Sequence, residues 1–550
     1  MTSARALKRS DHLVGVLLCV GYVMLLACTA TELGMSRDDS FYVHAAKSYG
    51  SRMSENVSAP SAALEQRSID RAWGYNWEHP ALMKIAFSWS WLAHRSIDLF
   101  PRESLAFRFP GILTAGLLLW LIYAWGASVM PRVGALFAAA AFALMPRVFY
   151  HSHLACFDIP IAFFFALTAY AYWRSLGDRR WAPVVGLAFG LAMATKHNSW
   201  MLPGIFLVHY AWLRRSEARA GRNARTSIAW LPWMLVLGPV TLIGTWPWLW
   251  SDTWNRLSAY ARFHLRHVHY TYEYFGVSYF EPPLPVSVPF VMTLFTVSLT
   301  VLALALIGLY HQRHGLRPPW RVETGARVGR STDVLWLGCL LAPLLAIALP
   351  TSPIFGGTKH WITAYPFLAL FAGWGVVAVS ERAELAFTTR RRWPTWGLAA
   401  FLLVPGAVQT AHSHPFGLSH YVPSAGGVPG AADLGMNRQF WGFTTGSLAP
   451  WLTERLPDGG SVWLGDTTPG AWAMLQADGR VPRNIRAARS MSDADYVLVH
   501  HEAHFAEVDY QAWVAFGSVR PVHVLRFDGV PIVSVYENPA RAATRLGPHR

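Results

Sequence analysis

Two adjacent aspartates, Asp38 and Asp39, open the stretch SRDDSFYVHAAKSYG (residues 36–50), directly after an apolar N-terminal run. Four further polar stretches sit, like this one, where apolar runs begin or end. NWEHPALMK carries Glu78, His79 and Lys84; HLACFDIP carries Asp158; TKHNSW carries Lys196 and His197; GGTKHW carries Lys359 and His360. An ionisable side chain at membrane depth costs about 3 kcal/mol, so such residues are functional candidates by default. Carboxylates with dispersed cations suit one chemistry in particular. A carboxylate takes the proton from an attacking hydroxyl while Lys, Arg and His meet the charge on a departing phosphate.

Taken singly, each signal also has a purely structural explanation. Asp38 can cap the helix that runs toward Tyr49, with Asp39 favoured in its first turn, and Asp158 before Ile159 and Pro160 is a good cap for a membrane helix. His264, His267 and His269 fall in YARFHLRHVHYTYEYFG (residues 260–276), which reads as a basic, Tyr-rich interfacial helix, so ligation is not their first reading, nor that of His151 and His153. The tryptophans of TWPWLW (residues 245–250) read as an interfacial aromatic belt. What points to a site is coincidence, because separate loops deliver acids and cations to one face.

The elements that must position these residues cross a membrane. The chain has 550 residues, 53% of them hydrophobic and only 14% charged, a balance that a water-soluble domain does not need. The formal net charge of +15 lies in short clusters between apolar runs, which argues against a nucleic-acid partner. The 4 cysteines sit in or beside apolar runs and give no disulfide framework.

Apolar stretches predict about eleven membrane helices, near 12–32, 108–130, 133–149, 158–175, 181–196, 199–213, 228–250, 286–310, 333–350, 361–380 and 394–411. With the N-terminus inside, every basic cluster falls on one side: Arg132; Arg174, Arg179 and Arg180; Arg214, Arg215, Arg219, Arg222 and Arg225. The same side receives Arg313, Arg317, Arg321, Arg327 and Arg330, then Arg382, Arg390, Arg391 and Arg392, as the positive-inside rule requires. The polar stretches then share the extracytoplasmic face with a long first loop, 33–107, and a tail, 412–550. Within that loop, Asn76 to Arg95 predicts a helix lying along the interface. In the tail, runs such as Tyr496 to His500 and Val530 to Tyr536 alternate with helix-like segments and predict a small soluble α/β domain. The expected organisation is mainly α: a membrane-embedded domain over 1–411 and an extracytoplasmic α/β domain over 412–550.

These motifs, in this order, resemble a known family. DDSFYVHAAKSYG followed by EHPALMK resembles the Asp-Glu and His-Pro-Pro-Leu-x-Lys signatures of protein O-mannosyltransferases and related polyprenyl-phosphate-sugar-dependent transferases. FDIPIAFFFALTAYAYWR, GLAMATKHNSWMLPG and GTKHWITAYPFLALFAGWG resemble later membrane segments of that family, and YVPSAGGVPGAADLGMNRQFWGF a segment of its bacterial branch. The resemblance implies a glycosyltransferase C-type fold and an enzyme of the bacterial inner membrane. It would transfer mannose or a related sugar, with inversion, from a polyprenyl-phosphate carrier to a hydroxyl on a protein, lipid or envelope glycan.

Carried over to this sequence, the acidic pair makes Asp38 or Asp39 the general base, Asp38 being the family's first acid. Glu78, His79 and Lys84 match the second polar cluster. Asp158 matches an acid that positions donor or acceptor, and Lys196, Lys359 and His360 are candidate phosphate contacts. No metal ligand is assigned and no cofactor is required, since the cations can do a metal's electrostatic work; a divalent ion at the paired aspartates is the one cofactor that could join them. Asp39 stands where the family commonly has Glu, and Ala81 replaces the second Pro, which weakens the case for a protein acceptor. The rival readings are a polytopic transporter, against which the sequence shows no internal symmetry, and an envelope-lipid hydrolase.

Overall fold

Every run expected to cross the membrane is helical in the computed structural model, which describes residues 5–58, 65–221, 226–325, 329–354, 356–387 and 393–546. Arg222, Arg225, Arg327, Arg390, Arg391 and Arg392, counted above among the basic clusters, lie outside the described residues. Among the described residues, Arg9–Thr29, Glu103–Val129 and Ile362–Leu385 are long and apolar enough to cross a membrane. Two bent pairs raise the number of such spans to at most 5. The chain is a multi-pass membrane protein, mainly helical, and several of its apolar helices are too short to cross unaided.

The bent pairs correct two single helices expected from apolarity alone. Residues 133–149 form Arg132–Ala143 and Pro146–Ser152, inclined by 70°. Met145, which precedes Pro146, is extended (φ −87, ψ 120), because the proline ring disfavours helical backbone in the residue before it. Residues 286–310 form Val288–Thr296 and Leu299–His311, inclined by 118°, the break falling where Val297 and Ser298 leave helical backbone. The second of these helices packs backbone to backbone on Tyr365–Phe387. A Cβ at Gly308 would fall 1.9 Å from the Phe371 carbonyl oxygen, and one at Gly375 would fall 2.0 Å from that of Leu304. Small residues allow such an approach in an apolar solvent, where packing replaces the hydrophobic effect.

The first loop folds into the helices Arg37–Ser58, Gln66–Trp73 and Leu82–Ile97. Leu82–Ile97 buries Met83, Phe87 and Trp91 on one side and leaves Trp89 64% exposed on another, the two-sided pattern of a helix that lies along an interface. A correction falls in the loop 260–276. The helix there, Thr253–Leu265, stops short, and Tyr272–Tyr274 (β1) pairs antiparallel with Val277–Tyr279 (β2). Phe275 and Gly276 both take positive φ (49° and 75°), the backbone of a tight hairpin turn that only a residue like glycine adopts without strain.

Past the last long helix, Gly460–Trp463 (β3), Ile485–Ala487 (β4), Tyr496–His500 (β5), His523–Phe527 (β6) and Val530–Glu537 (β7) form a sheet of order β4-β3-β5-β7-β6. The β3 pairings are parallel and those of β7 antiparallel. Side chains of β5 alternate between faces, as strand geometry requires. Val497 and Val499 meet Ala512 and Phe516 of the helix Ala506–Phe516. Tyr496 and Leu498 enter a second core that also contains Leu33, Tyr42, Met83 and Phe87 of the first loop. Sheet and first loop are therefore packed as one body.

Candidate active site

The helix Arg37–Ser58 is fixed at its start by a reciprocal cap. Ser36 Oγ accepts from the Asp39 backbone N–H at 3.2 Å, and Asp39 Oδ2 accepts from the Ser36 N–H at 3.1 Å and its hydroxyl at 3.0 Å. The other Asp39 oxygen accepts from the Ala155 N–H at 2.7 Å, and Arg108 stands 3.5 Å from Oδ2. Asp39 is fully buried and is not among the residues that line the adjacent cavity. The sequence gives it a share in catalysis with Asp38; in the structure its carboxylate holds the helix start.

Asp38, one residue earlier on the helical turn, faces that cavity of about 390 Å³. Its Oδ2 lies 3.0 Å from Lys359 Nζ, and the same ammonium sits 4.1 Å from the centre of the Trp441 ring. Lys359 stands at the end of the short turn Gly357–His360, so two segments more than three hundred residues apart meet in this pair. Glu78, His79, Lys196 and His360 also line the cavity.

The two remaining candidates, Asp158 and Lys84, support the lining from behind or beside it. Asp158 heads the helix Asp158–Ser175 and lies 2.7 Å from Lys196 Nζ, with His151 Nδ1 at 3.2 Å from its other oxygen. Asp158 does not itself line the cavity but holds Lys196, which does. Lys84 is fully buried and donates to the carbonyls of Asn76 (2.7 Å) and His79 (2.8 Å), so it braces the turn that presents Glu78 and His79. Burial lowers the Lys84 ammonium to about 7, partly offset by the Glu78 carboxylate. Across the cavity mouth, His264 Nε2 lies 2.8 Å from the Glu78 carbonyl oxygen, and His360 accepts through its own carbonyl from Asn198 at 3.0 Å. Burial drives His79 well below the usual histidine range, with the His264 and Lys84 charges acting in the same direction.

A second polar group lines the same cavity and was not singled out from the sequence: Arg37, Glu273, Asp466, Glu502 and His504. Arg37 pairs with Asp466. Burial pushes Glu502 well above the ordinary carboxyl range, and the neighbouring Asp466 and Glu273 carboxylates push it the same way. Arg37 opens the helix Arg37–Ser58, and the others come from the turn after β3, the turn after β5, and β1. No short motif marks them, and only the folding of the tail onto the outer loops brings them together. Tyr496 to His500 was legible as a strand; that its end points into the membrane site was not.

Taken together, the cavity holds an accessible carboxylate fixed by an ammonium, further cations on separate loops, and an acidic wall. Such a site can accept a proton from a hydroxyl and stabilise a phosphate leaving group without a covalent intermediate.

Residues 84–249 match the family described as dolichyl-phosphate-mannose-protein mannosyltransferase, in keeping with the resemblance drawn from the motifs. Among solved structures, the chain is similar to ArnT from Cupriavidus metallidurans in the apo state, at 14% identity and a TM-score of 0.49, over 98% of this chain and 99% of that one. The same protein bound to undecaprenyl phosphate aligns over 97% of this chain and 99% of that one, at 14% identity and a TM-score of 0.48. The oligosaccharyltransferase of Archaeoglobus fulgidus in the apo form aligns over 93% of this chain and 71% of its own, at 14% identity and a TM-score of 0.48. Among curated proteins, none matches the chain.

Proposed function

We propose that the chain is an inverting glycosyltransferase of the bacterial inner membrane. It moves a sugar, mannose or a relative, from a polyprenyl-phosphate carrier to a hydroxyl on a protein, lipid or envelope glycan at the extracytoplasmic face. The reading is carried by the pairing of Asp38 with Lys359 at 3.0 Å inside a cavity that also presents Lys196 and His360. The match of residues 84–249 to a polyprenyl-type-phosphate-sugar transferase family supports the same donor chemistry.

In this reading Asp38 accepts the acceptor hydroxyl's proton as the oxygen attacks the anomeric carbon. The bond from that carbon to the phosphate oxygen breaks on the opposite face, and its electron pair leaves with the carrier phosphate. Lys359 orients Asp38, while Lys196, steadied by Asp158, and His360 meet the phosphate charge. An approach from the membrane side lets the carrier's lipid remain among apolar helices throughout.

The test supplies purified protein in detergent with radiolabelled polyprenyl-phosphate mannose and a host membrane extract, and compares wild type with Asp38→Asn. Loss of a general base lowers the rate by about a hundredfold or more, with the melting temperature kept. Product only from another polyprenyl-phosphate sugar changes the sugar assignment. No transfer from any such donor, or full activity in Asp38→Asn, overturns the reading.

A further inference from the structure

A second cavity, of about 720 Å³, lies at the end of the helices remote from Asp38. The helix Arg9–Thr29 ends at the first loop, and the helices Glu103–Val129 and Asp158–Ser175 begin on that side. His12, Ser128 and Arg174, which line the second cavity, belong to their opposite ends. Three arginines line it, Arg5, Arg174 and Arg330, and among the described residues no carboxylate does.

The two inner guanidiniums are oriented without being neutralised. Arg174 donates to the Tyr170 hydroxyl at 2.8 Å and lies 4.5 Å from the centre of the Trp181 ring. Arg330 lies 4.7 Å from the centre of the Trp173 ring and packs over Gly177, where a Cβ would fall 2.4 Å from its Nη2. Aromatic faces fix the plane of a guanidinium but leave its charge in place. Asp178, the acid whose charge reaches Arg330, accepts from the Arg180 N–H at 3.1 Å and makes no ion pair with either arginine. Burial and the Arg174 charge both lower the Arg330 guanidinium, as expected where positive charge gathers without a partner. Arg5 is tied to the same place, its N–H donating to the Ser128 carbonyl at 2.8 Å.

Beside the arginines the lining turns apolar, with Leu117, Leu121 and Phe163. A free phosphate would use only the charged half of such a cavity. A zwitterionic headgroup would bring an ammonium that no acid is there to meet. A phosphodiester of net negative charge that carries acyl chains fits both halves, and basic pockets between membrane helices hold lipids of this kind.

We propose that this cavity binds the headgroup of an anionic glycerophospholipid, its phosphodiester between Arg174 and Arg330 with Arg5 beside it, and its chains along Leu117, Leu121 and Phe163. The lipid bridges the segment before Arg9–Thr29, the end of Asp158–Ser175 and the turn before Thr332–Ala348. The site is remote from the Asp38 cavity and independent of the transfer reaction, so its test reads lipid and not product.

The full chain, purified in detergent and freed of lipid, is titrated with phosphatidylglycerol or phosphatidylcholine, bound lipid being counted by native mass spectrometry and the melting temperature followed in parallel. Wild type is expected to retain one phosphatidylglycerol, to melt at a higher temperature with it, and to prefer it over phosphatidylcholine by about tenfold or more. One basic side chain near a lipid anion changes binding by about fivefold, so Arg174→Gln and Arg330→Gln should each weaken retention about fivefold and the double variant more than either. Arg313→Gln, an exposed arginine outside the cavity, should leave it unchanged. Melting of the lipid-free variants establishes that each is folded. Displacement of the lipid by millimolar inorganic phosphate would make this a site for a free anion and overturn the lipid assignment. Equal retention of phosphatidylcholine, uptake without a saturable first equivalent, undiminished binding in the double variant, or equal loss in Arg313→Gln would each overturn it as well.

Discussion

Neighbours in sequence, Asp38 and Asp39 have opposite surroundings: one faces a cavity and an ammonium, the other is enclosed by a cap, a backbone N–H and Arg108. Their substitutions should therefore separate. Asp39→Asn leaves the Arg108 guanidinium, 1% exposed, without its carboxylate, and breaking a buried pair costs on the order of 3 kcal/mol. The expected outcome is a clear drop in thermostability, read by size exclusion after heating in detergent, with activity per folded molecule within a few-fold of wild type. Loss of transfer at unchanged stability would move the base to Asp39. From sequence alone the two were equivalent, because the alternation of inner and outer faces at a helix start depends on which residue caps it. Ser36 decides that, and its role became visible only with Asp39 folded back onto it. The candidates Glu78, His79, Lys196, Lys359 and His360 were legible because membrane-depth charge is rare; that they share one cavity depends on contacts hundreds of residues apart.

Among elements, the hairpin β1–β2 is what brings Glu273 to the cavity, and it is held from the tail side by a close approach. Gly435 (φ 69°) accepts through its carbonyl from the Gly276 N–H at 2.9 Å, and a Cβ at Gly435 would lie 2.3 Å from that same nitrogen. Both the positive φ and the contact penalise a side chain there. Gly435→Ala should thus displace the hairpin without touching any residue that lines the cavity. We expect transfer to fall about tenfold, the scale of a 1–2 kcal/mol backbone penalty expressed at the site, together with faster protease cleavage between β1 and β2. Unchanged activity and protection would mean that the hairpin adjusts freely and does not position Glu273. The hairpin itself escaped the sequence reading because Tyr-rich alternation over three residues is too short to stand against a helical run that begins at Thr253.

At the scale of the whole molecule, the tail was legible as strands and helices but not as part of the active site's frame. One face of its sheet is covered by its own helix Ala506–Phe516, whereas the other, through Tyr496, Leu498, Val533 and Val535, shares a core with Leu33, Tyr42, Met83, Phe87 and Phe107. Polar bridges cross the same seam: the Arg37 N–H donates to the Trp441 carbonyl at 2.9 Å, Thr468 to Ser40 at 2.8 Å, and the Ser104 N–H to Asp478 at 3.0 Å. A segment that leaves half of its apolar cover on another part of the chain cannot bury enough surface alone, since each large side chain left exposed forfeits about 2 kcal/mol. Residues 412–550 secreted by themselves should therefore lack a cooperative thermal transition and expose apolar surface to a hydrophobic dye, and residues 1–411 alone should be inactive. Co-expression of the two pieces should restore a single melting transition and transfer, because the seam carries both apolar and hydrogen-bonded contacts and needs no peptide link to form. An isolated tail that melts cooperatively at the temperature of the full chain would show instead that it folds as an independent domain, with the shared core contributing little to its stability.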